Sequence, residues 1–182
     1  SQQYHESGTD RIAEAAEKME TDIVVNIQGD EPFITKAALS SLLALFENPK
    51  VEIATLMMPI TDKEKWQNPN CVKVVVDKNN KALYFSRAAI PYLREGTEMP
   101  FVYQHIGVYA FRKQALLQFT SLPVSTLERI EKLENLRALE NGMSIHCAII
   151  SQVGISIDTE EDFKAAENYL ASLSKSMSNN TK

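Results

Sequence analysis

The sequence predicts an α/β protein with parallel strands joined by crossover helices and one antiparallel hairpin. Three observations carry this. Asp22-Ile23-Val24-Val25-Asn26-Ile27 and Val51 to Met58 are short, nearly continuous apolar runs, as in strands buried on both faces. Stretches of helical period alternate with them, an order that implies parallel strands and crossovers. In the middle of the chain two β-rich runs flank Lys78-Asn79-Asn80-Lys81, a turn by composition.

The elements follow in order. Apolar Ile12, Ala15, Ala16 and Met19 recur at helical spacing after Ser7-Gly8-Thr9-Asp10-Arg11, where Ser7 or Thr9 can cap a helix. The strand at 22–27 is stopped by Gly29-Asp30-Glu31-Pro32, and Thr35 to Phe46 reads as a second helix before the strand at 51–58. Cys71 to Asp77 and Ala82 to Ser86 form the hairpin, and Phe101 to Phe111 is a third β run. Ser125-Thr126-Leu127-Glu128 has capping-box spacing, and Leu127, Ile130, Leu133, Leu136 and Leu139 make the stripe of one helix ended by Gly142. A strand at Ser144 to Ile150, a shorter one at Ile155-Ser156-Ile157, and a last helix from Thr159 to about Leu173 complete the pattern. One domain over residues 1–174 and a polar tail at 175–182 are expected.

Composition bounds the function. The 182 residues include 19 Lys+Arg and 24 Asp+Glu, a net charge of −5, which argues against broad nucleic-acid binding. A hydrophobic share of 44% with 24% charged residues excludes disorder over the whole length. Cys71 and Cys147 lack ligand-like spacing and point to a reducing compartment. No apolar run approaches the ~20 residues that span a bilayer, and the first residues do not resemble a signal peptide. A soluble cytoplasmic protein without nucleic-acid or membrane partners is the expectation.

In an open α/β sheet, ligands bind at the carboxyl ends of the strands. Asp30 and Asp158 both follow such ends, and two carboxylates converging there suit a Mg²⁺ ion that bridges substrate phosphates. A turn before Pro32 and a cap on the last helix explain the same two residues, and spacing alone leaves both readings open. Arg87, where a strand meets a loop, can fork onto a carboxylate or phosphate, or pair with a surface acid. His105 and Tyr109 are four apart on one strand and share a face, which lines a pocket or is structural. Glu134 and Asn135 interrupt an amphipathic helix, as a solvated face would. The phosphate-loop, G-x-G-x-x-G, G-x-S-x-G and H-E-x-x-H patterns are absent from these residues, and the three histidines and two cysteines match no zinc spacing.

Seven segments, in register over nearly the whole chain to about Tyr169, resemble one enzyme family. They are Ser7-Gly8-Thr9-Asp10-Arg11; Asn26-Ile27-Gln28-Gly29-Asp30-Glu31-Pro32; and Asn68-Pro69-Asn70-Cys71-Val72-Lys73-Val74-Val75. There follow Ala82-Leu83-Tyr84-Phe85-Ser86-Arg87-Ala88-Ala89-Ile90-Pro91; His105-Ile106-Gly107-Val108-Tyr109; Leu127-Glu128 through Arg137; and Asp158-Thr159-Glu160-Glu161-Asp162. The family is that of the cytidylyltransferases that activate Kdo, 3-deoxy-D-manno-octulosonate.

The resemblance implies a nucleotidyltransferase-type, Rossmann-like α/β fold whose sheet is mixed and mainly parallel, with a β-hairpin dimerisation region and a homodimer. The family's upstream strand–helix units, including an Ala-Arg…Ser-x-Arg-Leu-Pro-Gly-Lys segment that grips the CTP phosphates, have no counterpart in these residues. Little turnover is therefore expected of the isolated chain. By resemblance, Asp30 and Asp158 are Mg²⁺ ligands, and with Arg87 they form the catalytic set. Gln28, Arg87, His105, Tyr109, Glu134 and Asn135 line the sugar site, with Asn135 standing where the family usually has Gln. Ser7, Gly8 and Arg11 lie near the cytidine. The implied reaction joins CTP and Kdo to give CMP-Kdo and pyrophosphate, for lipopolysaccharide synthesis. A cytidylyltransferase for another sugar acid such as sialic acid, or a non-catalytic dimerisation and sugar-binding module, are the alternatives. Ser-Arg-Ala-x-Ile-Pro and His-x-Gly-x-Tyr favour Kdo over sialic acid.

Overall fold

Two-sided apolar runs become strands because both faces of the sheet are covered by helices. The computed structural model describes residues 8–28, 34–94, 101–151 and Lys164. Helix α1 (Gly8–Glu17) leads into β1 (Ile23–Ile27), then α2 (Lys36–Ala44) with a 3-10 turn at Leu45–Glu47, and β2 (Ile53–Ile60). Short α3 (Lys63–Gln67) precedes the hairpin of β3 (Lys73–Val76) and β4 (Ala82–Ser86). The long β5 (Val102–Arg112) is followed by α4 (Lys113–Ser121), α5 (Thr126–Glu131), α6 (Asn135–Glu140) and β6 (Ile145–Ile149). Helices α3 and α4 fall in segments that periodicity leaves unassigned. The expected cap Ser7, the stop at 29–33, the strand at 155–157, the body of the last helix and the tail at 175–182 lie outside the described residues.

The six strands form a mixed sheet in the order β4-β3-β5-β2-β6, with β1 also paired to β5. One edge of β5 is shared: β3 pairs with Tyr103 and Gln104, and β1 pairs with Val108 to Arg112. The opposite edge carries β2. The expectation of a mainly parallel sheet is corrected among the described residues. Only β2 and β6 pair in parallel, and the other four pairings are antiparallel. The physical reason is β5. Strands β1, β2, β3 and β6 do point the same way, as crossover helices require, but the reversed β5 inserts between β1 and β2 and between β3 and β2.

Side-chain alternation sends successive residues to opposite cores. Ile53, Met57, Val74, Phe85, Phe111, Ile145 and Cys147 pack under α1, α4 and α6. Ala54, Leu56, Ile106, Val108, Ala110 and Ala148 pack under α2 through Ala38 and Leu42. Helix α2 starts where the sequence indicates, with Thr35 Oγ1 accepting from Ala38 N at 3.1 Å.

The hairpin forms as predicted. Asp77 Oδ1 accepts from Asn79 N (2.8 Å) and Lys81 N (2.9 Å), which lets Asn80 take a φ of 58°. The single helix expected from Leu127 to Leu139 is instead two. Lys132 adopts a left-handed conformation, φ 54° and ψ 46°, between α5 and α6. The break has a tertiary cause. Arg87 Nε takes the Glu131 carbonyl at 2.8 Å, and the Glu131 carboxylate accepts from Ser86 Oγ (2.6 Å) and Arg87 N (2.9 Å). The last carbonyl and side chain of α5 are thus held by the end of β4 instead of by a continuing helix.

Candidate functional site

The corner between α5 and α6 sets where the polar residues of the site stand. It directs Glu134 and Asn135 toward the sheet, where they line a small cavity with Tyr109, Phe111, Phe119, Ile53, Ala138 and Ile145. Asn135 is only 5% exposed, and both atoms of its amide are buried with no hydrogen-bond partner. The amide stands beside the Tyr109 side chain without a hydrogen bond of good geometry. Burial first, and then the Glu134 charge, hold the Tyr109 phenol well above its ordinary pKa, so it stays protonated.

Glu134 is held by a chain of side chains from two other elements. Asn26 on β1 donates through Nδ2 to Thr9 Oγ1 at 3.1 Å, and the Thr9 hydroxyl hydrogen-bonds Glu134. Burial raises the Glu134 pKa, while that hydrogen bond and the charge of Arg137 lower it in part. The result is a part-desolvated carboxylate of fixed orientation.

His105 lies on the same face of β5. Its ring centroid is 5.3 Å from that of Tyr109 and 5.0 Å from Phe85, the latter edge-on. Nε2 is 2.9 Å from Thr55 Oγ1. Burial pushes the His105 pKa down to about 3, so the imidazole is neutral near pH 7. Between His105 and Tyr109 stands Gly107, where the Gln28 amide lies over the backbone: a Cβ on Gly107 would meet Gln28 Oε1 at 3.4 Å. The site therefore occupies the fork where β1 ends and β3 begins along one edge of β5.

The structure thus places Gln28, His105, Tyr109, Glu134 and Asn135, the set the resemblance implies, in one region. The solvated face expected for Glu134 and Asn135 is corrected, because the α5–α6 corner buries Asn135 against the sheet. Arg87 is linked to them indirectly. Three of its N–H groups go to the carbonyls of Glu131, Pro69 (3.1 Å) and Lys132 (3.4 Å), so its observed work is to brace the α5–α6 corner. A guanidinium has five N–H groups, so among the described residues two of them have no partner. Gly8 and Arg11 are exposed on α1, and between them Thr9 reaches the site through its hydroxyl. Ser7, Asp30 and Asp158 lie outside the described residues. Among the described residues no His, Cys, Asp and Glu cluster able to hold a metal is present.

Several participants escape sequence reasoning. Lys73 is fully buried on β3, and its Nζ donates to the carbonyls of Asn68 (2.8 Å) and Arg87 (2.6 Å), tying the loop before β3 to the end of β4. Burial lowers its pKa, against the opposing charges of Cys71 and Glu131. A lysine inside a valine run is the available signal. Thr55 is likewise a lone polar residue in a two-sided apolar strand. Thr9 and Glu131 carry no such mark, since their partners are 17 and 44 to 45 residues away.

The chain is similar to known proteins. Residues 2–145 match the family described as Cytidylyltransferase. A 3-deoxy-manno-octulosonate cytidylyltransferase of Flavobacterium johnsoniae is 53% identical over 169 residues, covering 91% of this chain and 69% of that protein. The enzyme of the same name from Acidobacterium capsulatum is 51% identical, covering 90% of this chain and 66% of that protein. A solved CMP:2-keto-3-deoxy-manno-octonic acid synthetase complexed with CTP superposes with a TM-score of 0.86 at 38% identity, over 92% of this chain and 69% of that one. A 4-diphosphocytidyl-2C-methyl-D-erythritol synthase of Anaerococcus prevotii, 12% identical with a TM-score of 0.54 over 92% of this chain and 68% of that one, shares the fold alone. With a mixed six-stranded sheet flanked by helices and identity of this order, the chain belongs to the 3-deoxy-manno-octulosonate cytidylyltransferase family.

Proposed function

We propose that this chain carries the sugar-acid site of an enzyme that joins CTP and Kdo to form CMP-Kdo and pyrophosphate, in lipopolysaccharide synthesis. The observation that supports it best is the Asn135 amide, buried and unpaired against a cavity that Tyr109 and Glu134 also line. An unsatisfied buried amide costs about 1–3 kcal/mol, a cost that a hydrogen-bonding ligand removes. Glu134, the Gln28 and Asn135 amides, the Tyr109 phenol and the neutral His105 offer alternating donors and acceptors, which suits a polyol. Arg87, with two N–H groups left over, is the partner for the sugar-acid carboxylate.

The anomeric hydroxyl of Kdo attacks the α-phosphate of CTP and pyrophosphate leaves. Such transfer needs positioning and charge neutralisation more than covalent catalysis. The chain's residues supply the positioning: a carboxylate fixed by Thr9 and Asn26, and an imidazole held between Phe85 and Tyr109. Asp30 and Asp158 are hard oxygen donors of the kind that suits Mg²⁺, and they would hold it. Bound there, the ion supplies charge neutralisation at the phosphate and a lowered pKa for the attacking hydroxyl. Ser7, Gly8 and Arg11 are assigned to the cytidine side. In a protein that also carries the family's upstream phosphate-gripping segment, Asp30→Asn and Asp158→Asn are each expected to cut turnover at least ~100-fold, on the scale of losing several kcal/mol of charge stabilisation. The check is pyrophosphate release with CTP, Mg²⁺ and Kdo, run beside N-acetylneuraminate. Near-normal rates in both variants would remove the metal assignment, and a preference for N-acetylneuraminate would remove the Kdo assignment.

A homodimer in the cytoplasm, where CTP is made, completes the reading. Strand β4 ends the sheet and presents Leu83, with Tyr92 and Phe101 also strongly exposed. A monomer mass in sedimentation equilibrium would contradict the dimer.

A further inference from the structure

The pairing of β2 with β5 is irregular at one point. Thr55 pairs with Tyr109 and Leu56 with Ile106, so Gly107 and Val108 bulge from the β2 ladder. The fully buried Thr55 hydroxyl fills that bulge. It lies 2.9 Å from the Val108 carbonyl, 3.2 Å from the Ile106 carbonyl and 2.9 Å from His105 Nε2.

A hydroxyl has one proton, and carbonyl oxygens only accept. The Thr55 proton therefore goes to the bulge carbonyls, and the Thr55 oxygen faces Nε2 with a lone pair. Nε2 must then carry a proton. We propose that Thr55 is a positioning residue that fixes His105 as the Nε2–H tautomer, leaving Nδ1 as a hydrogen-bond acceptor for a hydroxyl group of the sugar acid. Among the described residues the hydrogen-bond partner found for the ring is Thr55, at Nε2. A ring whose one nitrogen is committed to the backbone bulge has its other nitrogen's role decided for it. An acceptor repels a carboxylate and selects a hydroxyl, so His105 reads the polyol part of the substrate, not its acid group. The carboxylate must then be met elsewhere.

The substrate half of this inference rests on the Kdo reading, whereas the tautomer does not, and the test separates them. Nitrogen-15 NMR of histidine-labelled protein, with His105 assigned by comparison with His105→Gln, reports the protonation of each ring nitrogen. The expected wild-type spectrum shows Nε2 protonated and Nδ1 bare, with the Nδ1 resonance moving when Kdo is added. Thr55→Val, which removes the hydroxyl at nearly constant volume, is expected to mix the tautomers and raise KM for Kdo ~5–10-fold, the scale of one neutral hydrogen bond. KM for CTP should stay unchanged, and Thr55→Ser should restore both spectrum and KM. A wild-type Nδ1–H tautomer, an Nδ1 signal indifferent to saturating Kdo, or a folded Thr55→Val variant with wild-type spectrum and KM would each overturn the proposal. Should Thr55→Val fail to fold, the wild-type spectrum and the Thr55→Ser kinetics decide. The kinetic arms are read on protein that also carries the family's upstream phosphate-gripping segment. There, absence of turnover with Kdo would count against the Kdo reading alone, and the tautomer would still be read from the spectrum.

Discussion

Two buried polar groups stand two residues apart on α6 and differ in every respect that matters. Arg137 forks onto Glu128 with bonds of 2.8 and 2.6 Å, and its guanidinium lies 5.0 Å from the Phe119 ring centroid. Glu128 also accepts from Ser125 N at 3.0 Å, closing the capping box that starts α5. Asn135 has a similar burial, stands beside Tyr109, and among the described residues makes no hydrogen bond of good geometry. The fold completes the first group internally and leaves the second incomplete. Satisfied polar groups of this kind specify a structure, and an unsatisfied one calls for an explanation, which the proposed sugar site supplies for Asn135.

That contrast can be broken from the structural side first. Arg137→Ala leaves the Glu128 carboxylate buried and uncompensated, and should cost about 3–5 kcal/mol in denaturant melts. Replacing both members by apolar residues should cost less than either single change, and a double-mutant cycle measures the difference. From the other side, Asn135→Leu is expected to leave the melting temperature unchanged or raise it while kcat/KM for Kdo falls ~10–100-fold. Loss of stability comparable to that of Arg137→Ala would show that Asn135 is structural after all.

His105 sharpens the comparison through pH. Its pKa is about 3 in the fold against an ordinary value near 6.5, so the unfolded chain takes up a proton that the folded one refuses. Stability from this group is complete above pH ~6.5 and is lost as pH falls toward 3, by up to about 1.4 kcal/mol per pH unit. His105→Gln should flatten that acid limb in melts taken between pH 6.5 and 4. The smallest effect belongs to Gly107→Ala. The new methyl meets only the movable end of Gln28, so stability should shift by a few tenths of a kcal/mol at most, with a modest rise in KM for Kdo.

What was legible in the sequence follows range. Local signals were sound: the start of α2 at Thr35, the hairpin around Asn80, and the shared face of His105 and Tyr109 all depend on neighbours within a few residues. Pairing direction and the corner at Lys132 were not. The stripe from Leu127 to Leu139 is truly helical in period, yet Ile130 is 72% exposed, because Arg87, more than 40 residues away, turns the chain at Glu131. The same distance hides Arg87's bracing role and the Thr9–Asn26–Glu134 chain. A strand's period of two shows which residues face together but is silent on whether its neighbour runs up or down.

The central place of β5 also has a consequence for how the chain is made. Strands β1, β2 and β3 all pair with it, but it is synthesised after all three. At ~5–20 residues per second, β1 waits on the order of 5–15 s for β5, while among the described residues local helices and the β3–β4 hairpin can form. Strands β1 and β2 spend that interval without the strand that pairs with both. The nascent chain should therefore depend on chaperone holding until Arg112 has emerged, and then assemble most of the sheet within one short window.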